Sequence, residues 1–95
     1  MWARVTTTHG DPSTRDRGIA LINEQIIPAA KQFPGFKSGY WLADETGKAM
    51  AVIVFENKEA LQASDAAAGA LREQAKQQFE MTFDSVETFE VVAQA

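Results

Sequence analysis

The chain has 95 residues, of which 45% are hydrophobic and 23% charged, with a net charge of −4 at pH 7. That is the size and balance of one globular domain, and its acidic surplus, with Lys and Arg scattered, argues against a nucleic-acid or anionic-membrane surface. Without cysteine there is no disulfide, thiol nucleophile or thiolate metal site. No stretch reaches the ~18 apolar residues of a membrane span.

Residues 2–8, WARVTTT, combine aromatic and β-branched types and predict a first strand. The N-terminal MWARVTTTHG also lacks an apolar run of signal-peptide length, so a cytoplasmic location is expected. HGDPS interrupts the strand. Asp11 or Ser13 suits a helix cap, and Pro12 a first turn. From Thr14 to Gln32, Ile19, Ile22, Ile26 and Ala30 recur at helical spacing, with Ile27 beside them. Pro28 falls inside this pattern and is expected to kink the helix or end it early, because it removes a backbone donor. A second strand is predicted over 36–44 and a third over 48–56, joined by a hairpin at DETG. Asn57 caps a helix over 58–79, whose buried stripe is Leu61, Ala68, Leu71, Ala75 and Phe79. A last strand follows over 83–93.

The order strand, helix, strand, strand, helix, strand closes most naturally as an α+β, ferredoxin-like βαββαβ fold. Residues 1–95 then form one domain: a four-stranded antiparallel sheet with two helices on one face. Such a sheet is about 19 Å wide at ~4.8 Å per strand, and two helices of ~10 Å each cover only one side of it. Yet the third strand is apolar on both sides, with Ala49, Ala51, Ile53 and Phe55 on one and Met50, Val52 and Val54 on the other. An antiparallel sheet facing water would alternate apolar and polar residues. The second face therefore calls for a cover, most simply a second copy in a closed two-fold dimer.

Several residues are candidates for chemistry, each with a plainer reading beside it. His9, the only histidine, is either a general base or a solvated loop residue. One histidine among scattered carboxylates gives no metal-ligand spacing. Asn23 shares an edge of the apolar face of the first helix, so its amide bonds either backbone or a ligand. Parity with Phe36 and Leu42 turns Tyr40 toward the helices and leaves Trp41 at the dimer interface. Tyr40 and Phe55 would then stack on a planar guest. Arg4 in the first strand pairs with Glu90 across the sheet or the dimer, or else anchors a substrate. Arg72 borders the buried stripe of the second helix, and Ile19 the face of the first.

The opening MWARVTT, the PGF after the first helix, the run YWLAD…TGKAMAVIVFENKEAL and the closing VETFEVV resemble the antibiotic biosynthesis monooxygenase domain, of the dimeric α+β barrel superfamily. The resemblance covers nearly the whole chain. It implies a homodimer whose sheets face each other, with ligand pockets between each sheet and its own helices. It also implies cofactor-independent oxygenation of a small apolar or aromatic substrate. His9 or Tyr40 would handle the proton, Asn23 would orient the substrate, and Ile19, Phe55 and Arg72 would border the pocket. No cofactor or metal is expected. The haem-degrading branch uses an Asn on the first strand and a His on the second helix, and both are missing here. The competing reading is a non-catalytic homodimeric module for a small ligand, or a purely structural one. The two readings differ in the space between helices and sheet. An enzyme predicts a cavity with Asn23, Tyr40 and His9 converging on it. A structural module predicts one filled by Ile19, Ile22, Ile26, Leu61 and Leu71.

Overall fold

The computed structural model describes residues 1–79 and 81–95. In chain order it contains β1 (Trp2–Gly10), a 3₁₀ turn (Pro12–Thr14), α1 (Arg15–Leu21), a π-helical turn (Ile22–Ile26), α2 (Ile27–Ala30), β2 (Phe36–Ala43), β3 (Lys48–Phe55), α3 (Lys58–Ala63), α4 (Asp65–Gln78) and β4 (Met81–Glu90). The strands form one antiparallel sheet in the order β2-β3-β1-β4. This is the expected ferredoxin-like α+β arrangement.

Pro28 does not end the first helical run. Ahead of it the backbone widens, and the Ile27 N–H bonds to the Ile22 carbonyl, five residues back instead of four. In a regular α-turn a proline at position 28 would leave the Glu24 carbonyl without a donor and press its ring against it. The wider turn relieves both. The Asn23 amide donates to the Ile19 carbonyl at 3.0 Å, supporting the same stretch. The second helix, expected as one piece over 58–79, is two. Asn57 caps α3 as expected, accepting from the Ala60 N–H at 2.8 Å. At Ser64, which is 2% exposed, the hydroxyl donates to the Leu61 carbonyl at 2.7 Å and α4 begins afresh. A serine that bonds its own turn competes with the helical ladder.

Two bulges set which side chains meet the helices. In β2 the pairing with β3 slips between Phe36 and Ser38, so Lys37 is the extra residue. Phe36 faces Phe55, but beyond the slip Gly39, Trp41 and Ala43 oppose Ile53, Ala51 and Ala49. A one-residue slip exchanges the two faces of a strand. Trp41 therefore lies on the helix side and Tyr40 on the opposite one. This corrects both expectations from parity, which assumed an unbroken strand. The second slip, between Thr7 and Thr8, makes Asp84 the extra residue of β4.

The core gathers at one end of the two layers, where Ala30, Phe33, Phe55, Leu61 and Ala68 are buried together. The rings of Phe33 and Phe55 stack with centroids 6.3 Å apart. At the other end the β2–β3 hairpin docks on the end of β1, the Gly10 N–H donating to the Gly47 carbonyl at 2.9 Å. Gly47 has φ +98, and a Cβ there would stand 2.0 Å from the Gly10 carbonyl oxygen, so only glycine fits. The sheet face away from the helices is apolar and open: Tyr40, Leu42, Met50 and Phe89 are between 36% and 62% exposed. Among the described residues no helix is long and apolar enough to cross a membrane.

Candidate functional site

Away from the core end, the sheet and the helices enclose an open cavity of about 530 Å³. That is within the usual range for small-molecule sites. The cavity follows alternate residues of β1, from Arg4 past Thr6 and Thr8 to Gly10, a run of roughly 20 Å at ~3.3 Å per residue. Trp41, Ala51 and Ile53 form its sheet side; Ile19, Ile22, Ile26 and Leu71 form much of its helix side. Of the residues expected to fill this space in a structural module, only Leu61 is in the packed core. The three isoleucines and Leu71 surround the space instead. Trp41 has room to lie along the strand because Gly39 has no side chain. A Cβ on Gly39 would come within 2.8 Å of the indole Cζ3.

Arg4 closes one end of the cavity and is only 3% exposed. Its Nη2 donates to the Leu61 carbonyl at 3.0 Å and to Ser64 Oγ at 2.9 Å, and it pairs with the Asp65 carboxylate. The break at Ser64 creates this cradle. It leaves the carbonyl end of α3 and an acidic first residue of α4 side by side, and both attract a cation. The guanidinium rests 5.4 Å from the centre of the Phe55 ring. Its Nη1 is buried and has no hydrogen-bond partner among the described residues. Arg72 reaches the same cavity from α4. Burial first, and then the charge of Arg4, hold its guanidinium below the ordinary arginine range, with Asp65 opposing them. It remains a cation.

The expected site residues divide between the two faces of the sheet. Ile19, Asn23 and Arg72 line the cavity. Trp41 lines it too, where an interface position was expected. Phe55 is not part of the wall: it is fully buried behind the Arg4 guanidinium. Arg4 does not pair with Glu90. In the β1–β4 register Arg4 stands opposite Thr88, and Glu90 stands exposed opposite Trp2. Tyr40 is 62% exposed and shares the register parity of the open face, but the residue also borders the cavity at the β2 edge of the sheet. His9 shares the register parity of the open face, and its Nδ1 meets the bulged Asp84 carboxylate at 2.8 and 2.9 Å. Asn23 and Tyr40 both border the cavity, whereas His9 is not among its lining residues, so the three do not all converge on it. Among the described residues no cluster of His, Asp or Glu could hold a metal. Ser64 and Asp65 were missed at the sequence level. An Ser-Asp pair inside a helical pattern is an N-cap signal, and it would have marked the break.

No family model matches the sequence, and no curated protein matches it. Solved structures do. A putative antibiotic biosynthesis monooxygenase from Deinococcus radiodurans superposes with a TM-score of 0.79 at 16% identity, over 100% of this chain and 96% of that one. The fold is that of the antibiotic biosynthesis monooxygenases. SnoaB, a cofactor-independent oxygenase from Streptomyces nogalater, gives 0.71 at 16% identity, covering 98% and 94% of the two chains. A monooxygenase from the gene ActVA-Orf6 of Streptomyces coelicolor, in complex with nanaomycin D, gives 0.70 at 19% identity over 99% and 88%. At these identities the likeness establishes architecture, not chemistry.

Proposed function

We propose that the protein is a cofactor-independent, monooxygenase-like protein. It takes a small apolar or aromatic molecule, such as a polycyclic phenol, into the cavity between sheet and helices. It works in the cytoplasm as a single-domain homodimer closed through the open sheet face. The observation that carries the reading is the 530 Å³ cavity left unfilled by the helix isoleucines. It lies in a fold shared with oxygenases, one of them solved with nanaomycin D. In such a reaction a phenol becomes a quinone. One atom of O₂ enters the new carbonyl and the other leaves as water, and the four electrons come from the substrate itself. The protein's part is to exclude water and to present a flat wall, Trp41, to the ring. Asn23 sits where it can orient the guest, at the price of its bond to Ile19.

One observation favours the alternative, a non-catalytic homodimeric ligand-binding module: His9 does not line the cavity, and Tyr40, which borders it, turns its side chain by register to the opposite face. Oxygen uptake on a panel of naphthols and anthrones separates the readings. An oxygenase consumes O₂ in step with quinone formation, and Gly18→Phe stops both. Gly18 lines the cavity and a Cβ there meets nothing within 4 Å, so the ring has room to fill the space. Binding without uptake supports the module. Neither binding nor uptake refutes the cavity as the site.

A further inference from the structure

One end of the cavity carries more positive charge than the protein around it neutralises. Arg4 and Arg72 both reach it, and among the described residues Asp65 is the one carboxylate acting on both. That carboxylate is itself 61% exposed, so water screens its pull on the two guanidiniums. Arg72 takes part in no ion pair among the described residues. Arg4 Nη1 is buried without a hydrogen-bond partner among the described residues, while Nη2 is occupied by Leu61, Ser64 and Asp65. The walls beyond are largely apolar, with the polar Thr6, Thr8 and Asn23 among them, so the charge is weakly screened from anything that enters. A buried cation short of partners is costly. A water molecule would satisfy an N–H but would leave the charge. An anion does both, through charge-assisted bonds, and the planar fork of a guanidinium fits a carboxylate.

We propose that the Arg4 end of the cavity is an anion subsite and that the ligand is an aromatic carboxylate. Its carboxylate lies against Arg4 and Arg72. Its ring system extends along β1 past Thr6 and Thr8, between Trp41 and Leu71. The proposal rests on the cavity being the ligand site.

Calorimetric titration with two probes of the same shape tests it: 2-naphthoate, ionised at pH 7, and the neutral 2-naphthamide. The wild-type protein should bind the naphthoate at least tenfold more tightly. Arg4→Gln should bring the two probes within about twofold by weakening the naphthoate more than the amide, and Arg4→Lys, which keeps the charge, should retain a threefold preference or more. Arg4 also tethers the α3–α4 break, so Arg4→Gln can fail to fold. Arg72→Gln, which loses no tether, then decides: it should cut the preference at least threefold, and an unchanged preference overturns the proposal. Equal affinity of the two probes for the wild type, or a preference that survives Arg4→Gln, overturns the anion subsite and leaves the cavity standing. If neither probe binds, both readings fall together.

Discussion

Ser64→Ala tests the idea that Arg4 clamps the break between α3 and α4. Ser64 is 2% exposed and its Oγ takes a hydrogen bond from Arg4 Nη2 at 2.9 Å while donating to the Leu61 carbonyl at 2.7 Å. A buried hydrogen bond to a charged group contributes about 1.5–3 kcal/mol. Alanine is a better helix former than serine by about half a kcal/mol, which offsets part of the loss. The net destabilisation is then about 1–2.5 kcal/mol. For a domain of this size each kcal/mol lowers Tm by roughly 4–8 °C, so the midpoint should fall by about 4–20 °C. Thermal unfolding at one fixed protein concentration measures it, since assembly makes apparent stability depend on concentration. The companion variant Asp65→Asn removes a partner that is 61% exposed, and solvent limits such pairs to about 1 kcal/mol or less. Ser64→Ala should therefore cost more than Asp65→Asn. The reverse order, or a Ser64→Ala effect below about 0.5 kcal/mol, would refute the clamp.

Three further outcomes follow from the geometry. Gly39→Ala puts a Cβ within 2.8 Å of the Trp41 indole; the ring must move, at a cost of about 1–3 kcal/mol, and near-UV circular dichroism should register its displacement. The paired substitution Tyr40→Glu with Leu42→Glu places two charges on the open sheet face, where both residues are more than half exposed; light scattering should record a dimer becoming a monomer, and a wild-type monomer at micromolar concentration would sink the dimer. Asp44 accepts from the Thr46 hydroxyl and N–H and from the Lys48 N–H, and these bonds, the Thr46 hydroxyl foremost, hold its carboxyl below the ordinary aspartate value of 3.8. A depressed folded value means that its contribution is complete above that ordinary value and is lost as pH falls through the lower folded one. Asp44→Ala should therefore be less stable than wild type near pH 7, and the gap should close in strong acid; a gap that persists there would show that the charge is not what matters.

The sequence was most informative where a pattern is local. The element order, the Asn57 cap and the two-sided apolarity of β3 could all be read from neighbouring residues, and each is present. Whatever depended on register across elements could not. Nothing in FKSGYW announces that Lys37 is an extra residue, yet that slip alone exchanges Tyr40 and Trp41 between the two faces. Arg4 was expected to look sideways to Glu90, because its actual partners lie on a helix some sixty residues away and exist only where Ser64 breaks that helix. Phe55 was rightly placed on the helix side, but its depth behind Arg4 follows from packing. The cavity itself is a difference between the volume enclosed and the volume filled. Ile19, Ile22 and Ile26 read identically whether they fill a space or surround it.

The π-helical turn before Pro28 carries one further consequence. A five-residue turn among four-residue ones is what a single inserted residue leaves behind in a helix, and deleting one residue between Ile22 and Ile26 would reverse it. Each residue turns an α-helix by about 100°. Removing one residue while the turn narrows from five residues to four leaves Gly18 and Ile19 in phase with Pro28 and resets only the side chains between Ile22 and Ile26 that face the cavity, with the sheet and both arginines untouched. The shape of the pocket is thus separable from its charge. One wall can be re-cut by a single codon while the opposite wall and the charged end stay as they are, giving this fold a short path to a cavity of another shape.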